Sequence, residues 1–417
     1  MTKWCQNVSN NEKKTFWACF SSWGLDTFVN QMFGLLLPTL ISTFAISQLK
    51  LCWMSACTLL TTALGGWVAG ALSDRYGRVK TLQLMIIWFA VMTFMMAFAN
   101  NYYVILILRA LQGFAIGGEW AAGAVLMAET IRSQYRGRMM PLMQSGWAIG
   151  LALALIVFFV GSSLLPQNNG WRIMFAIGLL PALLIFFVRR HVVEPEREIA
   201  LSVDQPAKFS KALFGIFSPP MLRITILSSL LGIGAHGGYH TITTWLPIYL
   251  RQERQFSMLH TNTYMTVIII AFCCGCLVSS YLVDKIGRRF NVVCFAIGAA
   301  VTIRCYLFLP LDNVHMLLLG FPLGFFGAGI PATLGILFNE LYPQQYRGAG
   351  VGFSYNFGRL LAAFLPFLVN RMSAKMSLGT AIGIDASWAY SLVVISVLLL
   401  PETREGFKTD KLNRSEL

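Results

Sequence analysis

Apolar residues run through this sequence in twelve long stretches that are separated by polar segments. The stretches lie near residues 16–40, 51–73, 81–99, 103–128, 140–164 and 171–188, and then near 224–249, 262–283, 291–310, 314–338, 349–369 and 386–400. A helix needs about 20 apolar residues to cross the roughly 30 Å hydrocarbon core of a bilayer. The stretches are continuous rather than alternating in short strands, so they predict membrane-spanning helices.

The composition supports the same interpretation. Of the 417 residues, 56% are hydrophobic and only 12% are charged, whereas soluble domains carry about 25% charged residues. The first apolar stretch is too long for the apolar region of a cleavable signal, so we expect it to remain in the mature protein. The sequence has no G-x-x-x-x-G-K-[ST] phosphate loop, which excludes direct energising by ATP through that motif. We expect neither an enzyme nor a cofactor or metal ion.

The net charge of +14 is distributed unevenly between the two sides of the predicted membrane protein. If both termini share one side, the five loops on that side contain 16 Lys and Arg, and the six opposite loops contain 5. Basic loops remain in the cytoplasm. The pattern therefore predicts a multi-pass inner-membrane protein with both termini cytoplasmic, and it accounts for the basic charge without nucleic acid.

Three motifs occur twice, in the same order and at nearly the same spacing. The first pair is Asp74-Arg75-Tyr76-Gly77-Arg78 and Asp284-Lys285-Ile286-Gly287-Arg288, separated by 210 residues. The second pair is Glu129 with Arg136-Gly137 and Glu340 with Arg347-Gly348, separated by 211. The third is Pro195-Glu196 and Pro401-Glu402. The repeats predict two six-helix halves, 1–188 and 223–417, joined by a polar cytoplasmic linker, 189–222.

The pattern Gly70-x-x-x-Asp74-Arg75-x-Gly77-Arg78 resembles the signature loop of the major facilitator superfamily. It departs from that loop at Val79, where a basic residue is common, and the second copy has Ser280 in place of the glycine. Within the superfamily, Gly117-Gly118-Glu119 and Arg136-Gly137 resemble the metabolite:proton and sialate:proton symporter groups. The resemblance implies an all-α membrane protein with twelve transmembrane helices in two pseudo-symmetric six-helix bundles.

The resemblance also implies a conformational latch at the signature loops. In the family, such a carboxylate pairs with a helix of the other bundle and locks one conformation. An alternative is that these basic loops only set the topology. The residues assigned to gating are Asp74, Arg75, Gly77, Arg78, Glu129 and Arg136 in the first half, and Asp284, Gly287, Arg288, Glu340 and Arg347 in the second half.

Charged side chains within the apolar stretches indicate function, because each costs about 2.5–3.5 kcal/mol to insert. Asp26 and His236 are 210 residues apart, as are Asn30 and His240, so the duplication relates polar groups in both halves. The resemblance implies that spans 1, 4, 7 and 10 line a central cavity. The residues assigned to proton coupling are Asp26, Glu119 and Arg109. Those assigned to substrate binding are Arg109, Arg359, Asn30, His236, His240, Tyr239, Trp120 and Gln144.

Several of these assignments have structural alternatives. Arg109 could form an internal ion pair, the two histidines could be neutral packing residues, and Arg359 could be either structural or substrate-binding. Related acid symporters often carry a second acid in span 1, where this sequence has Val29. This chain must therefore couple differently or use Glu119.

The functional prediction is a monomeric secondary transporter that takes up a small organic anion, such as a carboxylate metabolite, with protons by alternating access. An arginine fork would hold the substrate carboxylate. The alternative is an exporter or facilitator of a neutral or aromatic compound or a sugar. Aromatic substrates could stack on Trp120, Trp147, Tyr239 or Trp245.

Overall fold

The computed structural model describes residues 8–165, 169–195 and 209–403, and all regular structure in these ranges is helical. The first eight helices are α1 (Asn10–Phe44), α2 (Gln48–Tyr76), α3 (Arg78–Met96), α4 (Tyr102–Thr130), α5 (Ser133–Gln144), α6 (Gly146–Leu164), α7 (Gly170–Ile177) and α8 (Pro181–His191). The next eight are α9 (Phe209–Phe214), α10 (Pro219–Gln252), α11 (Met258–Ile286), α12 (Arg288–Phe308), α13 (Asn313–Leu341), α14 (Arg347–Ala362), α15 (Leu365–Ser373) and α16 (Leu378–Leu399).

Each predicted span coincides with helix. Within the described ranges, 10 helical segments are long and apolar enough to cross a membrane, and an eleventh is the bent pair Phe209–Phe217 and Pro219–Gln252. The sixth predicted span corresponds to the shorter apolar helices α7 and α8, which Pro181 separates by starting a new helix. The predicted start of the twelfth span was wrong, because α16 begins at Leu378 rather than near residue 386.

The described chain divides by its contacts into two compact units. Unit 1 comprises residues 1–136, 146–216 and 343–356, and unit 2 comprises 137–145, 217–342 and 357–417. The 211-residue repeat relates 137–145 to part of 343–356, so each half of the repeat contributes an equivalent short segment to the other unit. The boundaries 1–188, 189–222 and 223–417 remain predictions, and residues 196–208 of that linker lie outside the described ranges.

Glycine allows the helices of unit 1 to pack closely. A Cβ on Gly113 would lie 2.5 Å from the carbonyl oxygen of Thr58, and one on Gly117 would lie 2.0 Å from that of Thr62. Both contacts join α4 to α2. Real Cβ atoms do not approach this closely, so only glycine permits the observed distance between the two backbones. Helices in lipid gain no hydrophobic stabilisation from contacting each other. The small-x-x-x-small pattern lets them approach closely enough for van der Waals packing to stabilise the contact.

The repeated signature loops turn at glycine in both halves. Gly77 has φ of +113° and Gly287 has φ of +92°, a region that other residues rarely adopt. After each turn, a distant glutamate caps the next helix. Glu194 accepts hydrogen bonds from the first backbone N–H groups of α3, and Glu402 accepts them from those of α12 at 3.0 and 3.1 Å. The partner of Glu402 in the repeat is therefore Glu194; Glu196, which the sequence pattern paired with it, lies outside the described residues.

Candidate functional site

Arg109 lies on α4 within unit 1, with only 7% of its surface exposed. Its guanidinium donates to Oδ1 of Asn30 at 3.1 Å and to Oε1 of Gln112 at 2.6 Å. The ring of Phe33 lies 4.0 Å from the guanidinium carbon, in cation–π contact. These three groups are uncharged, and they hold the guanidinium in a fixed orientation next to α1.

The orientation of Gln112 is set by a neighbouring helix. Its Nε2 donates to Oγ1 of Thr93 on α3 at 2.6 Å, so its carbonyl oxygen is left to face Arg109. Gln112 is three residues after Arg109, a spacing that places both side chains on one helical face. That spacing was available in the sequence, whereas the role of Thr93 depends on the packing of α3 against α4.

A pair of buried carboxyl groups lies farther along the same two helices. Asp26 and Glu119 are each 4% exposed, and they lie within electrostatic reach of each other. The hydroxyl of Ser22 donates to Oε1 of Glu119. Two carboxylates in a medium of low dielectric constant repel each other more strongly than they would in water. The structure thus brings together two acids that sequence reasoning had treated as alternatives.

A second polar cluster lies within unit 2 on α10. The Nδ1 atom of His236 lies 2.9 Å from the carbonyl oxygen of Gly232, and the rings of His236 and His240 are 6.5 Å apart. Arg359 is within electrostatic reach of both imidazole rings. Tyr239 packs with its ring against His240 and Phe272. The contact to Gly232 fixes the orientation of the His236 ring, and both the packing role and the proton-relay role of this residue remain predictions.

Asp385 is an intramembrane acid that sequence reasoning missed. It lies on α16, is 4% exposed and accepts a hydrogen bond from the Thr241 hydroxyl on α10. The span had been predicted to begin at residue 386, which left this acid in a loop. Ser377 was the missed signal: its side chain caps α16 by accepting from the backbone N–H of Thr380 at 3.2 Å.

Two further substrate-site candidates are buried. Trp120 stacks on Tyr355 within unit 1, with ring centroids 3.4 Å apart and planes 16° apart. Gln144, which belongs to unit 2, is 7% exposed, and its side-chain oxygen has no hydrogen-bond partner among the described residues.

The signature loop of unit 1 is a network of charges centred on Arg78. The guanidinium binds both oxygens of Glu129, at 3.0 and 3.1 Å, and it also pairs with Asp74. Arg347 contacts the same glutamate at 2.9 Å. Bidentate contacts of this kind fix geometry as well as charge.

Asp74 caps the helix that begins at Arg347. Its two carboxylate oxygens accept hydrogen bonds from the backbone N–H groups of Gly348 and Ala349, each at 2.9 Å. A carboxylate at a helix N-terminus also interacts favourably with the helix dipole. One carboxylate therefore joins the signature loop to the start of α14.

Unit 2 contains the repeated version of this network. Arg288 binds both oxygens of Glu340 at 2.9 Å and lies 3.5 Å from Asp284. Asp284 also lies 3.9 Å from Arg138. Of the other assigned gating residues, Arg136 donates to the carbonyl oxygen of Ile131 at 3.1 Å, and Arg75 lies over the ring of Tyr76.

No group of three or more His, Cys, Asp or Glu side chains in the described ranges is arranged to hold a metal ion. The profile of the Major Facilitator Superfamily matches residues 19–407. The chain belongs to this superfamily. It is a multi-pass membrane transporter rather than an enzyme, and its chemistry is the movement of a small molecule.

Named relatives of this Major Facilitator Superfamily member cover nearly all of its length. The chain is 40% identical over 97% of its length to a probable 4-methylmuconolactone transporter of Cupriavidus pinatubonensis, covering 94% of that protein. It is 27% identical over 88% of its length to a cis,cis-muconate transport protein of Acinetobacter baylyi, covering 89% of it. It shares its fold with a solved proton:xylose symporter at a TM-score of 0.76 and 18% identity, over 94% of this chain and 96% of the other.

Proposed function

We propose that this chain is a secondary active transporter that takes up a small organic anion, a carboxylate metabolite, together with protons. The observation that carries the proposal is one arginine and two acids, all buried, on the facing helices α1 and α4. The side-chain oxygens of Asn30 and Gln112 accept from the Arg109 guanidinium and fix its orientation, and a planar guanidinium held in this way suits a substrate carboxylate. The names of the two relatives, for 4-methylmuconolactone and cis,cis-muconate, support a small organic substrate of this class.

Charge balance couples the two ligands. Arg109 and Glu119 are ten positions apart on α4, which corresponds to about 15 Å along the helix axis. The substrate anion and the proton therefore occupy neighbouring but separate positions. An anion on Arg109 and a proton on the Asp26–Glu119 pair both reduce the charge that the carrier must move through a medium of low dielectric constant. Loading both ligands favours the conformational change that carries them across.

Uptake driven by a pH gradient tests the proton sites. In Asp26→Asn and Glu119→Gln we expect accumulation against a concentration gradient to be abolished, because the pair can no longer bind and release a proton. Exchange of substrate at equal pH should persist in the variant that removes the proton carrier. Asp385→Asn removes a matched buried acid in unit 2 and should leave accumulation largely intact. If both unit 1 variants still concentrate substrate when the pH gradient is the only driving force, proton symport by this pair is wrong.

We further propose that the protein lies in an inner membrane as a monomer with both termini cytoplasmic. The excess of Lys and Arg in the loops on one side of the predicted spans supports the orientation. A cysteine introduced near Arg78 should resist an impermeant thiol reagent added from outside. Strong labelling there would contradict this orientation.

A further inference from the structure

The turn that ends α7 packs against a buried threonine on α3. Gly178 follows the last residue of α7, and a Cβ on it would lie 2.2 Å from Cγ2 of Thr93. Real Cβ atoms do not approach this closely, so only glycine lets the chain pass Thr93 at the observed distance. The hydroxyl of Thr93 donates to the carbonyl oxygen of Phe89 at 2.8 Å. Both groups on the Thr93 Cβ are therefore held in place, the methyl by Gly178 and the hydroxyl by its own helix.

The orientation of Thr93 fixes the direction of a chain of hydrogen bonds. Its one hydroxyl proton goes to Phe89, so its oxygen acts as an acceptor, and Nε2 of Gln112 donates to it at 2.6 Å. The amide oxygen of Gln112 then faces Arg109, which donates to it at 2.6 Å. If the amide were reversed, its NH₂ group would face the N–H groups of the guanidinium, and no hydrogen bond could form. We call Gly178, Thr93 and Gln112 the hydrogen-bond relay.

The same turn of α7 supports Arg109 by a second route. Phe175 is three residues before Gly178, and the centroid of its ring lies 6.1 Å from that of Phe33 on α1. The ring of Phe33 in turn lies 4.0 Å from the guanidinium carbon of Arg109. We call Phe175 and Phe33 the aromatic relay. Two relays of uncharged side chains therefore start about one helical turn apart on α7 and converge on one arginine.

We propose that the end of α7 is the positioning element of the anion site, holding Arg109 in the orientation that a substrate carboxylate requires. The hydrogen-bond relay holds the edge of the guanidinium, and the aromatic relay holds its face. A guanidinium held on both sides loses less conformational freedom when it binds a planar anion, which raises its affinity. The inference rests on the proposed function. It adds residues that set the affinity of the site from the sixth span, outside the four spans that the resemblance assigns to the cavity.

The kinetics of pH-driven uptake test the hydrogen-bond relay in vesicles that contain the full-length chain. The probes are cis,cis-muconate, benzoate and adipate, and KM and kcat are measured for each acid that the wild type takes up. Thr93→Val keeps the shape of the side chain but cannot accept from Gln112. We expect its KM to rise about two- to tenfold, the effect of one hydrogen bond, with kcat nearly unchanged. Thr93→Ser retains the hydroxyl and should keep KM close to that of the wild type, whereas Gly178→Ala pushes Thr93 away and should raise KM.

Thr302→Val is the matched control for Thr93→Val. Thr302 is a buried threonine on α12 of unit 2, and its hydroxyl donates to the carbonyl oxygen of Gly298 at 2.7 Å. Its replacement removes the same kind of backbone contact and should leave KM unchanged. Because KM does not depend on how much of the protein is folded, partial loss of folded protein does not imitate the expected effect. Thr93→Ala replaces Thr93→Val if that variant does not fold.

Combined variants separate the two relays. Gln112→Leu should raise KM by itself, and adding Thr93→Val to it should cause no further rise, because Thr93 acts through Gln112. Adding Phe175→Leu to Gln112→Leu should raise KM again, because the aromatic relay reaches Arg109 through Phe33.

The outcomes distinguish the relays from the function beneath them. An unchanged KM in Thr93→Val, or effects of Thr93→Val and Gln112→Leu that add, overturns the inference and leaves Arg109 as the proposed anion site. A loss of kcat in Thr93→Val with KM unchanged shows that Thr93 only stabilises the fold, which also overturns it. If the wild type takes up none of the three acids against a concentration gradient, the proposed function fails, and the inference fails with it.

Discussion

Arg109 shows how neutral residues can prepare a charged one for a ligand. The oxygens of Asn30 and Gln112 and the ring of Phe33 fix the plane of its guanidinium. The long side chain therefore loses less conformational freedom when an anion binds. A planar fork held in this way fits the two oxygens of a carboxylate, which a lysine ammonium cannot match.

The first prediction concerns this geometry. Arg109→Lys keeps the charge but loses the fork and the paired contacts to Asn30 and Gln112. We expect the efficiency of uptake, kcat/KM, to fall about tenfold or more, since a hydrogen bond to a charged group contributes about 1.5–3 kcal/mol. Initial rates of uptake across substrate concentrations measure the effect.

Arg304→Lys is the matched control for that substitution. Arg304 is also an intramembrane arginine, but it is exposed on α12 and donates to Ser387 at 3.0 Å. Its replacement should leave uptake near the wild-type value. An Arg109→Lys protein with wild-type kinetics would remove Arg109 from the substrate site.

At the scale of elements, small residues decide which helices touch. The sequence predicted the helices because about 20 consecutive apolar residues leave no other stable arrangement of the backbone in lipid. It misplaced the start of α16 by several residues, since an Asp inside an apolar run resembles a loop. The contact between α2 and α14 depends on two glycine pairs that are about 280 positions apart in the chain, and no local periodicity relates them.

The second prediction tests this contact. In Gly352→Ala the new methyl group would lie 1.9 Å from the Gly66 carbonyl oxygen, so α14 must move away from α2. We expect a loss of about 1–3 kcal/mol in stability, as in other overpacked sites, seen as a lower melting temperature in detergent. Gly327→Ala, whose added Cβ meets nothing within 4 Å, should be neutral or slightly stabilising because alanine favours helix. Equal melting temperatures for the two variants would contradict the packing argument.

At the scale of the whole molecule, the feature most relevant to transport is that each half of the repeat contributes one short segment to the other unit. Residues 343–356 belong by the repeat to the second half and by their contacts to unit 1. Asp74 holds the start of this segment through the backbone N–H groups of Gly348 and Ala349. We propose that this contact exists in one of two conformations and acts as a latch for that state.

The third prediction follows from replacing one oxygen. In Asp74→Asn only one side-chain oxygen can still accept from α14, and Arg78 loses its ion pair with Asp74 while keeping its contacts to Glu129. We expect the protein to fold but to transport more slowly, because the equilibrium between the two conformations loses a contact specific to one state. Single-turnover exchange rates at saturating substrate measure this effect.

Asp312→Asn supplies the comparison for the latch. Asp312 also caps a helix, accepting from the backbone N–H of His315 at 2.9 Å, but it caps α13 from the same chain segment. Its substitution should leave the exchange rate unchanged. If Asp74→Asn and Asp312→Asn have equal exchange rates at every substrate concentration, the latch is wrong. The signature loop would then only set the membrane topology.

The amino-acid sequence by itself determined the membrane helices, the internal duplication and the family, because these follow from length, composition and motif spacing along one dimension. It also singled out Asp26, Arg109 and Glu119, since a charge within an apolar run is costly and needs a reason. Only the tertiary structure decided that Ser22 donates to Glu119 within electrostatic reach of Asp26, that Thr93 orients Gln112, and that Asp385 is buried. Such pairings depend on how far each helix is rotated about its axis and how closely it approaches its neighbours. Both are set by packing contacts among residues far apart in the sequence.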